Sequence, residues 1–198
     1  VQRLGETAVR VLSAAAVIGR DFDLEVLAHT TDRGEDELLE SLDAAVAGSV
    51  LRESTQVQGR FTFVHDLINH TLYEELGRTR RARLHRRVAE ALEEVCGDQP
   101  GERLGELAYH WSVATEPVSL SKAIGYARGA GQHALGHLAP DEALRWFDRA
   151  LELLDAVPDA ALGDRCELLI GRGEAQKQIG EPGYRETLLG AARIAREL

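Results

Sequence analysis

The sequence predicts a mainly α protein in two parts: three helices and a short β-hairpin first, then an array of helices packed in pairs. Three observations predict it. Apolar residues recur at helical spacing over most of the 198 positions. Two short stretches, Val50-Leu51-Arg52-Glu53 and Arg60-Phe61-Thr62-Phe63-Val64, flank a polar loop from Ser54 to Gly59, the pattern of a hairpin. A turn-rich break, Gly97-Asp98-Gln99-Pro100-Gly101, then divides the chain into a first domain over 1–96 and a second over 101–198.

In the first domain, Val9, Val11, Leu12, Ala15, Ala16 and Ile18 form one apolar face that ends at Gly19, as a helix terminus would. Asp23, Leu24, Val26 and Leu27 open a short second helix. A third runs from Gly34 to Val46, with Leu38, Leu39, Leu42, Ala45 and Val46 on its expected buried side. Three helices followed by a hairpin make a winged helix. In the second strand Phe61 and Phe63 alternate with Thr62 and Val64, as a half-buried strand requires. A helix from His65 to Leu76 follows, with Leu67, Ile68, Leu72, Tyr73 and Leu76 assigned to its apolar face. His65 stands at its entrance, its imidazole expected to be held rather than free and within reach of a phosphate, and Asp66 puts a carboxylate where the helix start carries partial positive charge.

Composition narrows the classes. With 44% apolar residues, few aromatics and a net charge of −10, the chain reads as soluble and helix-rich. No apolar run approaches the roughly 20 residues of a membrane span, and no signal-peptide pattern opens the chain, so a cytoplasmic location is expected. Cys96 and Cys166 lie far apart with no CxxC, which predicts free thiols. The chain holds no methionine and begins at Val1 within a helical pattern, so it is expected to be a piece of a longer protein.

The run Phe61-x-Phe63-x-His65-Asp66-Leu67, followed by Tyr73-Glu74-Glu75-Leu76 and by Arg83-Leu84-His85-x-x-Val88-Ala89-x-x-Leu92-Glu93, resembles the winged-helix segment of the STAND signal-transduction ATPases. Within that class it is most similar to the large bacterial LuxR-type transcriptional regulators. The earlier run Leu12-x-x-Ala15-Ala16-Val17-Ile18-Gly19-Arg20-Asp21-Phe22-Asp23-Leu24 resembles the first winged-helix element of the same family. The resemblance implies that His65, and more weakly Asp66, senses nucleotide by contacting a phosphate of bound ADP and holding a closed, inactive state. It also implies a P-loop ATPase domain upstream in the same chain, with ATP or ADP and Mg. This chain has no GxxxxGK[ST] loop and no acidic magnesium site, so it is not expected to be an enzyme or to hold a cofactor of its own. From pattern alone, the favoured reading of His65 is a capping or hydrogen-bonded core histidine, and the resemblance reverses that order.

Winged helices often bind DNA through the third helix, but here that helix carries Glu35, Asp36, Glu37, Glu40 and Asp43 and no basic residue. The positive charge lies instead in Arg78-Thr79-Arg80-Arg81-Ala82-Arg83-Leu84-His85-Arg86-Arg87. A run of this kind is usually a solvated face or a partner contact, and Arg80, Arg81 and Arg83 are expected to meet a neighbouring domain or the nucleotide phosphates. Direct DNA binding is not expected.

The second half reads as helices over 104–114, 120–138, 141–154, 161–179 and 184–198. Ala143-Leu144-x-x-Phe147-x-x-Ala150-Leu151-x-Leu153 resembles the second helix of a tetratricopeptide repeat, and Gly131 sits at the glycine of the first. Ala127, Ala130 and Ala134 replace the usual tryptophan, leucine and tyrosine, so the unit is divergent. Such repeats stack into a curved solenoid with a binding surface, which implies a signal ligand or partner protein. The array is expected to be truncated, leaving Ala191 to Leu198 partly exposed.

Other constellations carry bland readings. His133 and His137 lie one helical turn apart without an acidic third ligand and read as surface histidines. Gly129-Ala130-Gly131 follows no strand, so close helix packing explains it better than dinucleotide binding. Trp111, Trp146 and Tyr109 read as core or inter-repeat contacts, and no GxSxG is present. The expected protein is a regulatory region of an ATP-dependent transcriptional regulator. A constitutive scaffold, or the same module attached to an adenylyl cyclase or a protein kinase, is the alternative.

Overall fold

The computed structural model describes residues 5–31, 33–114, 117–158 and 160–198, apart from the side chains of 117 and 118. The helical reading at Val1 lies outside them. The described chain is mainly helical with one small antiparallel sheet, and it divides into two compact units, 1–98 and 99–198.

In the first unit, α1 (Glu6–Ile18), α2 (Leu24–Thr30) and α3 (Glu35–Ala47) precede the hairpin of β2 (Leu51–Glu53) and β3 (Arg60–Phe63), and α4 (Asp66–Glu74) and α5 (Arg78–Cys96) close it. A strand absent from the sequence reading, β1 (Asp21–Asp23), lies on the other edge of β3, giving the order β1-β3-β2. Asp23, read as helical, is therefore the end of that strand and the residue flanking α2. β1 pairs with β3 through Phe22 opposite Phe61, and β2 through Leu51 opposite Phe63. Phe22 stacks on Phe61 at 5.8 Å between ring centres. These rings join Leu12, Leu27, Leu38, Leu42 and Leu72 in the core.

The hairpin loop is built from its own polar groups. Ser54 Oγ accepts the backbone N–H of Gln56 (3.2 Å) and of Val57 (3.1 Å), and Gly59 takes φ +74°, where a side chain would be strained. The buried stripe of α3 is narrower than read. Leu38, Leu42 and Ala45 are buried, whereas Leu39 and Val46 sit at its margin, each 37% exposed.

In the second unit, α6 (Leu104–Val113), α7 (Pro117–Gly136), α8 (Pro140–Asp155), α9 (Leu162–Ile179) and α10 (Tyr184–Ala195) each pack on the next in sequence. A 3-10 turn at Gly101–Arg103 leads into α6, and Gly180 ends α9 in the left-handed conformation at φ +76°. Close approach of three helices centres on Phe147 of α8, which is 1% exposed. A Cβ on Gly131 of α7 would come within 2.9 Å of its ring, and one on Gly171 of α9 within 2.3 Å. A Cβ on Gly129 would likewise stand 3.2 Å from Leu104, so Gly129 and Gly131 of α7 serve helix packing. Tyr109 departs from the core reading and is half exposed. Leu189 and Leu198 are exposed near the end of the chain, while Ala191 is buried and its carbonyl lies 3.4 Å from Cys166 Sγ. Among the described residues, no helix is long and apolar enough to cross a membrane.

Candidate functional site

The β3–α4 turn presents His65 because the two elements it joins are fixed independently. Val64 N–H donates to the Val50 carbonyl at 3.0 Å, which carries the strand pairing to the residue before His65. Ile68 N–H donates to the His65 carbonyl at 3.0 Å as the helix begins. His65 itself is extended, at φ −129° and ψ 127°, and occupies the N-cap position of α4. Its side chain makes no capping hydrogen bond and is exposed. The backbone is held, but the imidazole, expected to be held with it, is not: neither ring nitrogen accepts a first-turn N–H of the helix, and the ring is exposed among the described residues.

Asp66 is the first residue of α4 and faces Arg20, the residue after the α1 terminus. Arg20 Nη1 lies 3.0 Å from Asp66 Oδ1 and 3.3 Å from Oδ2. Both side chains are more than half exposed. Asn69, one turn further along α4, donates from Nδ2 to the Gly19 carbonyl at 3.1 Å, and Phe63 N–H donates to the Arg20 carbonyl at 2.9 Å. The corner after α1 is thus fastened both to the strand that leads into His65 and to the helix that leaves it. Thr62 adds a hydrogen bond from Oγ1 to Asp21 Oδ1 at 2.6 Å. Leu67, assigned to the apolar face of α4, is 74% exposed and flanks His65; Leu72 supplies the buried contact instead.

The three arginines expected at a phosphate or a domain contact separate. Arg80 and Arg83 are exposed on α5. Arg81 is turned back onto its own chain, where Nη2 donates to the carbonyls of Tyr73 (3.2 Å), Leu76 (3.3 Å) and Glu74 (3.5 Å). Its guanidinium also lies 4.2 Å above the Tyr73 ring. It neutralises the negative end of α4 and adds a donor to its last carbonyls, that of Tyr73 being shared with Leu76 N–H at 3.2 Å, a contact the expected phosphate role does not include.

Beneath Arg81, His85 is fully buried with Nε2 3.0 Å from Tyr73 Oη. Burial, and secondarily the Arg81 charge, lower its pKa from 6.5 to about 4, so the ring is neutral at physiological pH. Arg20, Asn69 and the Tyr73–His85 pair were missed as site or support residues. The only local signal was that Arg20, Tyr73 and His85 fall inside the motif runs.

The remaining surfaces are simpler. α3 exposes Glu35, Asp36, Glu37, Glu40 and Asp43. His133 and His137 stack at 4.1 Å, and His137 Nδ1 lies 2.9 Å from the His133 carbonyl. Among the described residues, no group of three or more His, Cys, Asp or Glu side chains is placed to hold a metal ion.

Compared with known proteins, the chain is 30% identical over 172 residues to an uncharacterized protein of Rhizobium meliloti (strain 1021). The similarity takes in 85% of this chain and 16% of the length of that relative. No protein-family model matches the chain, and no solved structure does.

Proposed function

We propose that this chain is the nucleotide-sensing and signal-receiving region of a STAND-class ATPase, of the kind found in large bacterial LuxR-type transcriptional regulators. The first unit acts as a winged helix, with α1 to α3 as its helical part and β2–β3 as its wing. The second acts as a tetratricopeptide-like array that takes up a signal ligand or a partner protein. ATP or ADP, with Mg, binds an upstream P-loop domain of the same cytoplasmic protein, and His65 contacts a phosphate from across the domain boundary. The chain performs no hydrolysis itself.

The observation that carries this reading is the exposed His65 ring, fixed by its backbone yet without a capping bond or a cover. A structural histidine is normally buried or bonded, as His85 is. The similarity to 16% of a far longer relative supports a region that works within a multidomain chain. The acidic surface of α3 supports a role other than DNA binding, because it would repel the phosphate backbone.

In the full-length protein, His65→Ala should weaken ADP retention by about 10-fold or more, the loss of one charge-assisted hydrogen bond. Basal output should rise as the closed state loses its hold. Equilibrium binding of a fluorescent ADP analogue and the unstimulated output measure the two effects. Unchanged values in both would leave the alternative, a constitutive scaffold, whose specific support is the exposure of Leu189 and Leu198 on the second unit. An adenylyl cyclase or protein kinase as the output domain would preserve the His65 effect and change only the activity that is read.

A further inference from the structure

We infer that Arg20 is a second anion-binding side chain of the His65 site, and that Asp66 is the internal partner it exchanges for a nucleotide phosphate. The inference rests on the nucleotide-sensing reading and names a residue and a competition that reading does not contain.

The backbone brings Arg20 and His65 to one corner. Arg20 is bound through its carbonyl to Phe63, two residues before His65, and the corner that holds it is bonded to Asn69, four residues after. Its guanidinium reaches Asp66, the neighbour of His65 in the chain, at 3.0 Å. Asp21, the other carboxylate at this corner, accepts the Thr62 hydroxyl at 2.6 Å. Of these carboxylates, Asp66 is the one that holds the guanidinium.

The pair is built to exchange. Both side chains are more than half exposed, 53% for Arg20 and 73% for Asp66, and exposed ion pairs of this kind are held weakly. A guanidinium stays charged at any physiological pH, and its planar fork fits two phosphate oxygens. A nucleotide phosphate arriving at His65 carries more charge than a carboxylate and so displaces Asp66 from Arg20. Asp66, having the same sign as the ligand, acts through Arg20: it sets the threshold at which the guanidinium becomes available.

Two substitutions break the same ion pair and separate this role from a structural one. In the full-length protein, Arg20→Gln should weaken ADP binding by about 5-fold or more, and Asp66→Asn should strengthen it by about 3-fold, as expected for charge-assisted contacts at a partly exposed site. Arg20→Lys, which keeps the charge and loses the fork, should fall between the parent and Arg20→Gln. A purely structural pair predicts changes in the same direction for both partners. If Arg20→Gln and Asp66→Asn shift ADP affinity alike, or not at all, while His65→Ala still weakens it, this inference is wrong and the sensor reading stands. If His65→Ala also has no effect, both fall.

Discussion

Phe147→Ala should destabilise the second unit by about 3–5 kcal/mol, the cost of removing a buried aromatic ring from a site that cannot collapse. The ring is 1% exposed and lies between Gly131 and Gly171, so three helices meet through it. The backbones on either side are already close, and the glycines at those two positions offer no side chain to fill the space left by the ring. Gly171→Ala tests the same contact from the other side. Alanine gains about 1 kcal/mol of helix propensity over glycine. Its Cβ, however, would stand 2.3 Å from Phe147 Cζ, and the trapped ring cannot swing away. A net loss of about 2 kcal/mol is expected, in the range of core overpacking. Combining Gly171→Ala with Phe147→Leu should cost at least about 1 kcal/mol less than the sum of the two single changes, because the smaller side chain removes the overlap. Both tryptophans, Trp111 and Trp146, belong to this unit, so fluorescence-monitored denaturation reads its stability selectively. Strict additivity would show that Phe147 and Gly171 are not in the contact described.

What was legible in the sequence, and what was not, follows from how far apart the interacting residues lie. The helices of the second unit are long and periodic, and α9, expected over 161–179, runs from Leu162 to Ile179. The hairpin was legible because its strands are separated only by a short polar loop ending in Gly59. β1 was not, since three residues hold no alternation and Phe22 becomes a strand residue only by pairing with Phe61. The same holds at the candidate site. His65 could be placed at a strand-to-helix turn from local pattern, but its lack of a cap bond could not. Arg20 meets Asp66 across 46 positions, a contact with no local signature. Arg81 looked like one member of a basic run. Its role emerges only because the chain turns at Gly77 and brings α5 back under the carbonyl end of α4. Leu67 erred in the opposite direction, since helical spacing alone assigned it to a face that the strand-to-helix turn leaves open.

The buried His85 should give the first unit an acid-sensitive limb that a neutral replacement removes. Its pKa is about 4 when folded, against 6.5 for an ordinary histidine. Above pH 6.5 both the folded and the unfolded chain carry a neutral ring, and the group contributes no pH dependence. As the pH falls from about 6.5 towards 4, the unfolded chain takes up a proton that the folded chain refuses, so stability declines with falling pH. At 1.36 kcal/mol per pKa unit the full loss is about 3 kcal/mol, complete once the folded ring also protonates. Protonation would also leave a cation buried beside the Arg81 guanidinium and make Nε2 a donor in its 3.0 Å contact with Tyr73 Oη. His85→Gln, whose amide can donate to or accept from Tyr73 Oη, should therefore lose less stability than the parent between pH 7 and pH 4, by that same amount. Amide exchange of α4 and α5 across that range measures the difference, and the carboxylates elsewhere cancel between parent and variant. Arg81→Gln should raise the His85 pKa by removing the lesser of its two depressing causes, with burial left to hold it below 6.5. The imidazole Cε1–H resonance of His85 gives a direct check: titration at an ordinary midpoint near 6.5 would overturn the buried, neutral assignment and, with it, the support that α5 provides at the far end of the helix that His65 begins.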